Sequence, residues 1–404
     1  METKKKGFPA AFWVCACTEI FERLAYYLGR SLILIFVTAS VATGGLGLSD
    51  TVAANMQSNL TAFSYLLPLF GAVIVDKYIG ARYTTPVGMF IAAAGYFPGG
   101  IAKSSVGVYA MIFLVSLGLA LFKNGAIIGR VITDKSQMDP AFSMRYTLVN
   151  VGAFIGTFLV GILYKDVFAK DGVLGFAPCF KMAALMMVLG GLWYIFVCWR
   201  FLGDLGKLPF KKTLTEEEKA AEAKKKEETG TKQPLTTIEK KRIGAIFVAS
   251  LFSIVFWIFW YLGYMPVYFY WAENMDWVVA GYQVPSTWFD AANSLFCVIL
   301  GPVTAALWKK LAARPQGDMS LFRKTGLGIA IIGVGYLFYA AIDIMRGGEK
   351  ASVLWLIVFA FLLTMGEMFF SPLGHSFISK YSPSRYLAVM TVSYTHLRAH
   401  ETSQ

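Results

Sequence analysis

The chain is poor in charged residues and in the residue types that build soluble catalytic or metal sites. Only 15% of its 404 residues are charged, whereas ordinary soluble domains carry about a quarter. Its three histidines and five cysteines are not spaced like metal ligands, and the sequence contains no glycine-rich loop for nucleotide phosphates. We therefore expect no catalytic residue, no metal, no cofactor and no enzymatic activity.

Long apolar runs separated by short polar segments dominate the sequence instead. Hydrophobic residues make up 56% of the chain, and each run reaches the roughly 20 residues that a helix needs to cross a membrane. Backbone amides at that depth must bond within their own segment, so each run predicts a helix. The ten predicted spans are residues 10–38, 51–76, 83–102, 106–130, 145–165, 176–202, 241–270, 287–311, 325–344 and 352–377.

Lysine and arginine are abundant at every second set of span ends, beginning with Lys4, Lys5 and Lys6, and sparse at the others. The positive-inside rule then places the N-terminus in the cytoplasm. The net charge of +12 reflects this topology, so we expect no nucleic-acid partner. We predict a monomeric, multi-pass protein of the cell membrane in contact with lipids.

A charged stretch divides the predicted spans into two groups. Residues 203–240 contain EEEKAAEAKKKEETGTKQP, a composition typical of a solvated linker. We predict a six-helix N-terminal bundle over residues 1–202 and an incomplete, four-helix bundle over residues 241–391. Two such groups suit a carrier that rocks around a central site.

Residues 392–404, VSYTHLRAHETSQ, are too polar to form a further span. They resemble a reading frame through a common sequencing adapter. We expect this segment to be a non-native read-through tail and the true C-terminus to be missing.

The first span contains four ionisable residues within TEIFERLAYYLGR, namely Glu19, Glu22, Arg23 and Arg30. At about 100° per residue, all but Glu22 lie within about 40° of one line. A charge at the bilayer centre costs about 2.5–3.5 kcal/mol, so this stripe must face a polar cavity or partners on neighbouring helices. A transport pathway explains it best. The alternative is a salt-bridge cluster that holds helices together, which is a poor source of stability.

Lys123, about two-thirds along the fourth span, is a further cation within an apolar run. A buried carboxylate that gains and loses a cationic partner will release and take up a proton. Lys123 is the obvious mobile cation for such an exchange. Its position alone allows either an ammonium group at the cytoplasmic interface or one paired inside the protein.

The loop after the second span matches a signature of the major facilitator superfamily. Its role would be a tight turn with a charge latch between neighbouring helix ends on the cytoplasmic side. The matching residues are Gly71, Asp76, Lys77, Gly80 and Arg82.

Together these segments resemble the proton-dependent oligopeptide transporters of that superfamily. Residues 19–27 look like the ExxER(F)xYY motif of the first helix in that family. Residues 71–85 and 146–154 resemble two more family signatures, and WFDAANS around Asn293 and GEMFFSPLGHS around Glu367 add matches. The resemblance covers residues from about 7 to 391 and implies an all-α membrane protein with the major facilitator fold.

The resemblance also implies residue roles. Glu19, Glu22, Arg23 and Lys123 would couple transport to protons. Arg30 and Lys123 would bind the peptide carboxylate, and Glu367, Asn150 and Asn293 would bind the peptide amino group. The pocket would be lined by Tyr26, Tyr27 and Tyr65. The implied function is uptake of di- and tripeptides with protons by alternating access.

Two alternatives stay open at this point. First, the same scaffold could carry nitrate or another small anion, although Glu367 would repel an anion. Second, the protein could be a channel or an intramembrane enzyme, which would show no saturable flux driven by a pH gradient.

Three features depart from the family pattern. Tyr261 stands where a glutamate partner of Arg30 is usual, and Ser58 stands where mammalian relatives carry a histidine. The polar linker also leaves no room for the two extra helices of many bacterial members.

Overall fold

The computed structural model is predominantly helical and describes residues 8–132, 138–209, 237–263, 266–312, 314–315 and 319–381. The helices are α1 Ala10–Thr38, α2 Asp50–Lys77, α3 Ala81–Ile101, α4 Ser105–Leu121, α5 Asn124–Val131, α6 Met138–Ile162, α7 Phe176–Trp193, α8 Trp199–Leu202, α9 Thr237–Leu262, α10 Pro266–Asn274, α11 Trp288–Ala312, α12 Leu321–Met345 and α13 Leu354–Tyr381. A 3₁₀ turn covers Val41–Thr43, and π-helical turns cover Leu163–Val167 and Tyr194–Cys198.

Four two-residue strands form two small ladders in the second half of the chain. Strand β1 (Met275–Asp276) pairs in parallel with β4 (Ala351–Ser352). Strand β2 (Val278–Val279) pairs antiparallel with β3 (Tyr282–Gln283). The β1–β4 pair ties the segment after α10 to the segment before α13.

A helix lies at each of the ten predicted span positions within the described residues. Helix α1 has the predicted bounds, whereas the fourth span is two helices because the backbone leaves helical geometry at Phe122 and Lys123. Five segments are long and apolar enough to cross a membrane: Asp50–Val75, Ser105–Val131, Met144–Val167, Phe176–Leu202 and Phe322–Met345. The described chain is therefore a multi-pass membrane protein. Helix α1, with its four ionisable residues, is not among the five.

The first residues of the predicted linker pack on the start of α3, where the Arg82 amide donates a 3.0 Å hydrogen bond to the Gly206 carbonyl. At its other end, α9 already begins at Thr237. Residues 210–236 and 382–404, which include most of the linker and the predicted read-through tail, lie outside the described residues.

The chain divides into two compact units, Met1–Thr213 and Leu214–Gln404. In the first unit α1 is the central helix, because α2, α5, α6 and α7 all pack against it. Buried residues occur on all its sides, including Phe12, Ala16 and Leu28. A helix surrounded in this way buries charged groups such as Glu19 and Glu22 together with apolar ones.

Close contact of α6 with α1 depends on two glycines spaced four residues apart. A Cβ atom on Gly152 would lie 2.7 Å from the Ile20 carbonyl oxygen, and one on Gly156 would lie 3.2 Å from the Leu24 Cα atom. Small residues at this spacing let membrane helices approach with their backbones in contact. The contact holds α6 beside the stretch of α1 that carries the acidic residues.

The second unit has an aromatic core. Phe256, Trp257 and Phe359 are almost fully buried, and the Phe256 and Phe370 rings stack at 4.0 Å. The end of α12 is tied to α10 by Arg346, whose guanidinium group lies 2.6 Å from the Asp343 carboxylate and donates to the Tyr270 hydroxyl at 2.8 Å.

Replacing Gly156 by leucine tests the close contact of α1 with α6. The side chain would meet the α1 backbone, so we expect Gly156→Leu to destabilise the protein by about 1–3 kcal/mol. Thermal unfolding of the purified protein in detergent measures the change. The control is Gly333→Leu on α12, where an added Cβ atom has nothing within 4 Å. Equal melting temperatures for the two variants would contradict the proposed packing.

Candidate functional site

Glu19 lies at the centre of the first unit and is fully buried. Its Oε1 atom accepts hydrogen bonds from Arg145 Nε at 2.9 Å and from Asn124 Nδ2 at 3.1 Å. Arg145 belongs to α6 and Asn124 is the first residue of α5. The carboxylate therefore joins three helices through one oxygen atom.

Glu22, one turn further along α1, is also fully buried. Its Oε2 atom lies 2.6 Å from Arg23 Nε in an ion pair. The pair is not aligned as a hydrogen bond, and neither oxygen of Glu22 accepts one from the described residues. The two carboxylates thus have different surroundings although both are paired with an arginine.

The arginines of α1 lie beside its tyrosines. Arg23 Cζ is 5.4 Å from the centre of the Tyr26 ring, and Arg30 Cζ is 5.7 Å from that of Tyr27. The two rings meet edge to face at 5.4 Å. Tyr26 is buried, whereas 36% of Tyr65 on α2 is exposed. The structure therefore places three predicted lining tyrosines and Arg30 in the first unit, along α1 and α2.

Lys123 lies at the break between α4 and α5. Its backbone dihedrals, φ −117° and ψ 32°, are not helical, and its Nζ atom donates a 2.8 Å hydrogen bond to the Pro68 carbonyl oxygen in the middle of α2. The half-buried ammonium group therefore contacts α2 through a backbone oxygen. Asn150, on α6, is buried and donates to the Tyr146 carbonyl of its own helix at 3.0 Å.

The second unit contains the other predicted acid, Glu367, on α13. It is 6% exposed, and its Oε2 atom accepts a 3.0 Å hydrogen bond from Asn293 Nδ2 on α11. Asn293 also donates to Thr364 Oγ1 at 3.0 Å, and Cys297 Sγ lies 4.0 Å from the carboxylate. The two predicted residues of this unit are thus in direct contact.

Tyr261, one of the departures from the family pattern, is on α9. Its ring lies 5.0 Å from Trp260 and 6.0 Å from Trp257. At this position an aromatic cluster stands where a carboxylate was expected from the resemblance.

The predicted latch residues lie at the ends of α2 and α3. Gly71 packs against the Ala120 carbonyl of α4, and Gly80 against the turn after α8. Arg82 is buried, donates to the carbonyl oxygens of Trp199 (3.1 Å) and Gly203, and lies over the Trp199 ring. A guanidinium group is favourable there because helix C-termini carry partial negative charge. Lys77 is exposed, and the Asp76 side chain lies outside the description.

Sequence reasoning missed Arg145 and Asn124. Arg145 directly precedes the segment from Tyr146 onward that resembles the family, and Asn124 directly follows Lys123. Both are polar residues within or beside an apolar run, which was the available signal. Their partner Glu19 is more than a hundred residues away along the chain, so pattern alone could not pair them.

The described site consists of charged, amide and aromatic side chains. Among the described residues, no cluster of three or more His, Cys, Asp or Glu side chains could hold a metal ion. What the geometry supplies is two buried carboxylates, cations beside them and tyrosine rings. Such groups exchange protons and bind charged ligands.

The chain is similar to known transporters along almost its whole length. The model of the POT family matches residues 197–402, just over half of the 404-residue chain. The uncharacterized transporter YclF of Bacillus subtilis is 24% identical, over 95% of this chain and 84% of that protein. A di-/tripeptide transporter of Lactococcus lactis subsp. cremoris is 24% identical, over 95% and 86%.

The fold is also found among solved structures. The crystal structure of a POT family transporter in complex with 5-aminolevulinic acid superposes with a TM-score of 0.85 and 23% identity, over 99% of this chain and 90% of that one. The resemblance stated from the motifs is thereby confirmed, and with it the fold of a helical transporter. The chain belongs to the POT family.

Proposed function

We propose that this protein takes up di- and tripeptides together with protons across the cytoplasmic membrane by alternating access. The observation that carries the proposal is the pair of fully buried carboxylates on α1, each beside an arginine. Membership of a transporter family supports transport over enzymatic activity. Relatives described as di-/tripeptide transporters support the choice of substrate.

Each unit carries charges that can bind a charged group of a peptide. In the first unit Arg30 and Lys123 are cations that can bind the peptide carboxylate. In the second, Glu367 is a largely buried anion that already accepts a hydrogen bond from Asn293. A peptide ammonium group would be a charge-assisted donor, which binds a carboxylate more strongly than the neutral amide does.

The remaining features of the proposal concern the membrane. We infer that α1, α3 and the helices of the second unit cross the membrane as well, giving ten spans in two bundles with a cytoplasmic N-terminus. The charges of α1 are compatible with this position because neighbouring helices cover them. The protein would act as a monomer surrounded by lipid.

Uptake into proteoliposomes tests the substrate. With an inward proton gradient, a radiolabelled dipeptide should accumulate and saturate with concentration, and a proton ionophore should abolish the accumulation. Nitrate is the comparison, since a small anion is the alternative substrate. Accumulation of nitrate without dipeptide would overturn the proposal, and flux that does not saturate would indicate a channel.

Glu22→Gln should remove proton coupling. The amide cannot carry the proton, so we expect uphill accumulation to be lost while exchange of labelled for unlabelled peptide partly continues. Both rates are measured in the same proteoliposomes, with and without a pH gradient.

The matched control for that variant is Glu273→Gln, which alters an exposed carboxylate on α10. It should leave uphill uptake unchanged. Wild-type accumulation in the Glu22→Gln variant would remove Glu22 from the coupling mechanism.

Glu367→Gln should weaken binding of the peptide amino group. Loss of one charge-assisted hydrogen bond costs about 1.5–3 kcal/mol, so the KM for a dipeptide should rise about tenfold or more. Uptake of the N-acetylated dipeptide, which has no ammonium group, should change much less. An equal change for both substrates would show that Glu367 does not read the amino terminus.

A further inference from the structure

Glu19 and Glu22 are one helical turn apart and equally buried, yet they differ in what their oxygens contact. The Oε1 atom of Glu19 accepts two hydrogen bonds, from Arg145 at 2.9 Å and Asn124 at 3.1 Å. Neither oxygen of Glu22 accepts a hydrogen bond from the described residues. Because their hydrogen bonding differs, we expect the two acids to differ in how they take up a proton.

The partners of Glu19 are fixed in place. Asn124 is fully buried, and its Nδ2 atom also donates to the Cys15 carbonyl of α1 at 2.7 Å. The Arg145 guanidinium lies against α5, where a Cβ atom on Gly125 would be 3.1 Å from Arg145 Cζ. Both donors are therefore held by backbone contacts as well as by the carboxylate.

The other oxygen of Glu19, Oε2, accepts no hydrogen bond from the described residues, so a proton there would displace no donor. It would still neutralise the carboxylate that both donors bind through Oε1. Hydrogen bonds to a charged acceptor are stronger than those to a neutral one, and hydrogen bonds to the charged form favour that form. Arg145 adds a full positive charge that cannot be lost by deprotonation. Protonation of Glu19 would therefore weaken both hydrogen bonds and leave the guanidinium charge uncompensated.

Glu22 has no such obstacle. Its arginine, Arg23, follows it directly on α1 and makes a 2.6 Å ion pair with Oε2 that is not aligned as a hydrogen bond. Arg23 also lies over the Tyr26 ring, which remains as its partner when the acid is neutral. A proton on either oxygen of Glu22 therefore displaces no aligned donor among the described residues.

Several charged and titratable groups surround the two acids. Those facing Glu22 are Arg23 and Glu19 on α1, Arg145 on α6 and Tyr96 on α3, and those facing Glu19 are Arg145, Arg23, Glu22 and Cys15.

Building on the proposed function, we infer that Arg145 is a positioning residue which, with Asn124, holds Glu19 as a permanent carboxylate, so that the transported proton resides on Glu22. In the loading step hydronium protonates the Glu22 carboxylate, giving the carboxylic acid and water. In the release step water on the other side takes the proton back. Glu19 keeps its negative charge throughout and keeps the surroundings of Glu22 constant.

Infrared titration of the purified protein tests the inference without requiring transport. Lowering the pH should produce a buried carboxylic-acid carbonyl band that is missing in Glu22→Gln and retained in Glu19→Gln. In Arg145→Leu a second protonation step should appear, and it should vanish in the double variant with Glu19→Gln. Arg145→Lys keeps the charge and should restore a single step.

The opposite results would overturn it. A band lost in Glu19→Gln, or an Arg145→Leu titration identical to wild type, would show that Arg145 does not control the acid. A merely structural Arg145 would lower the melting temperature without changing the number of steps. Failure of the wild-type protein to take up dipeptide would reject the proposed function instead, because the titration reports the protonation site independently of the substrate.

A second experiment measures the rate of dipeptide accumulation as a function of pH. Arg145→Leu should accumulate dipeptide about tenfold more slowly at neutral pH, the effect of one lost charge-assisted hydrogen bond, with a profile of altered shape. Arg145→Lys should recover most of the rate and the wild-type profile. A uniform loss at every pH in both variants would contradict a positioning role.

Discussion

The burial of two carboxylates in α1 is the constraint on which the first unit depends. A charge removed from water must be compensated by an opposite charge and by hydrogen bonds. The compensation here comes from other helices: α6 supplies Arg145 because Gly152 and Gly156 allow it to lie against α1, and α5 supplies Asn124. The glycine contacts and the ion pair both require α6 to lie beside α1 in the same arrangement. Packing and electrostatics in this unit therefore depend on each other.

Buried ion pairs add little net stability, but removing one partner costs about 3–5 kcal/mol. A protein that changes the charge of a buried acid must therefore change its neighbour at the same time. The first unit satisfies this requirement with arginines that can lie over tyrosine rings. The second unit solves a different problem, because the amide of Asn293 that donates to Glu367 is neutral and a cationic ligand can outcompete it.

Much of this arrangement followed from the sequence. The apolar runs predicted helices where the described chain has them, and the charged stripe of α1 predicted a face turned to a polar cavity or to partners on neighbouring helices. Two features did not follow. The backbone leaves helical geometry at Phe122 and Lys123, neither of which is a helix-breaking residue. The contact of Arg145 with Glu19 joins distant segments, and their pairing depends on how α6 packs. Periodicity identifies a face of a helix, but it does not identify the neighbour of that face.

The hydrogen bond from Lys123 to the Pro68 carbonyl joins two places where helical bonding is interrupted. Proline has no amide hydrogen, so the turn of α2 before Pro68 lacks one backbone bond, and the chain leaves helical geometry at Lys123. Both helices are thus mechanically soft at the same level, and a single ammonium group spans the two soft points. Bending at this level would stretch fewer backbone bonds than bending elsewhere, and it would carry the lysine charge along with it.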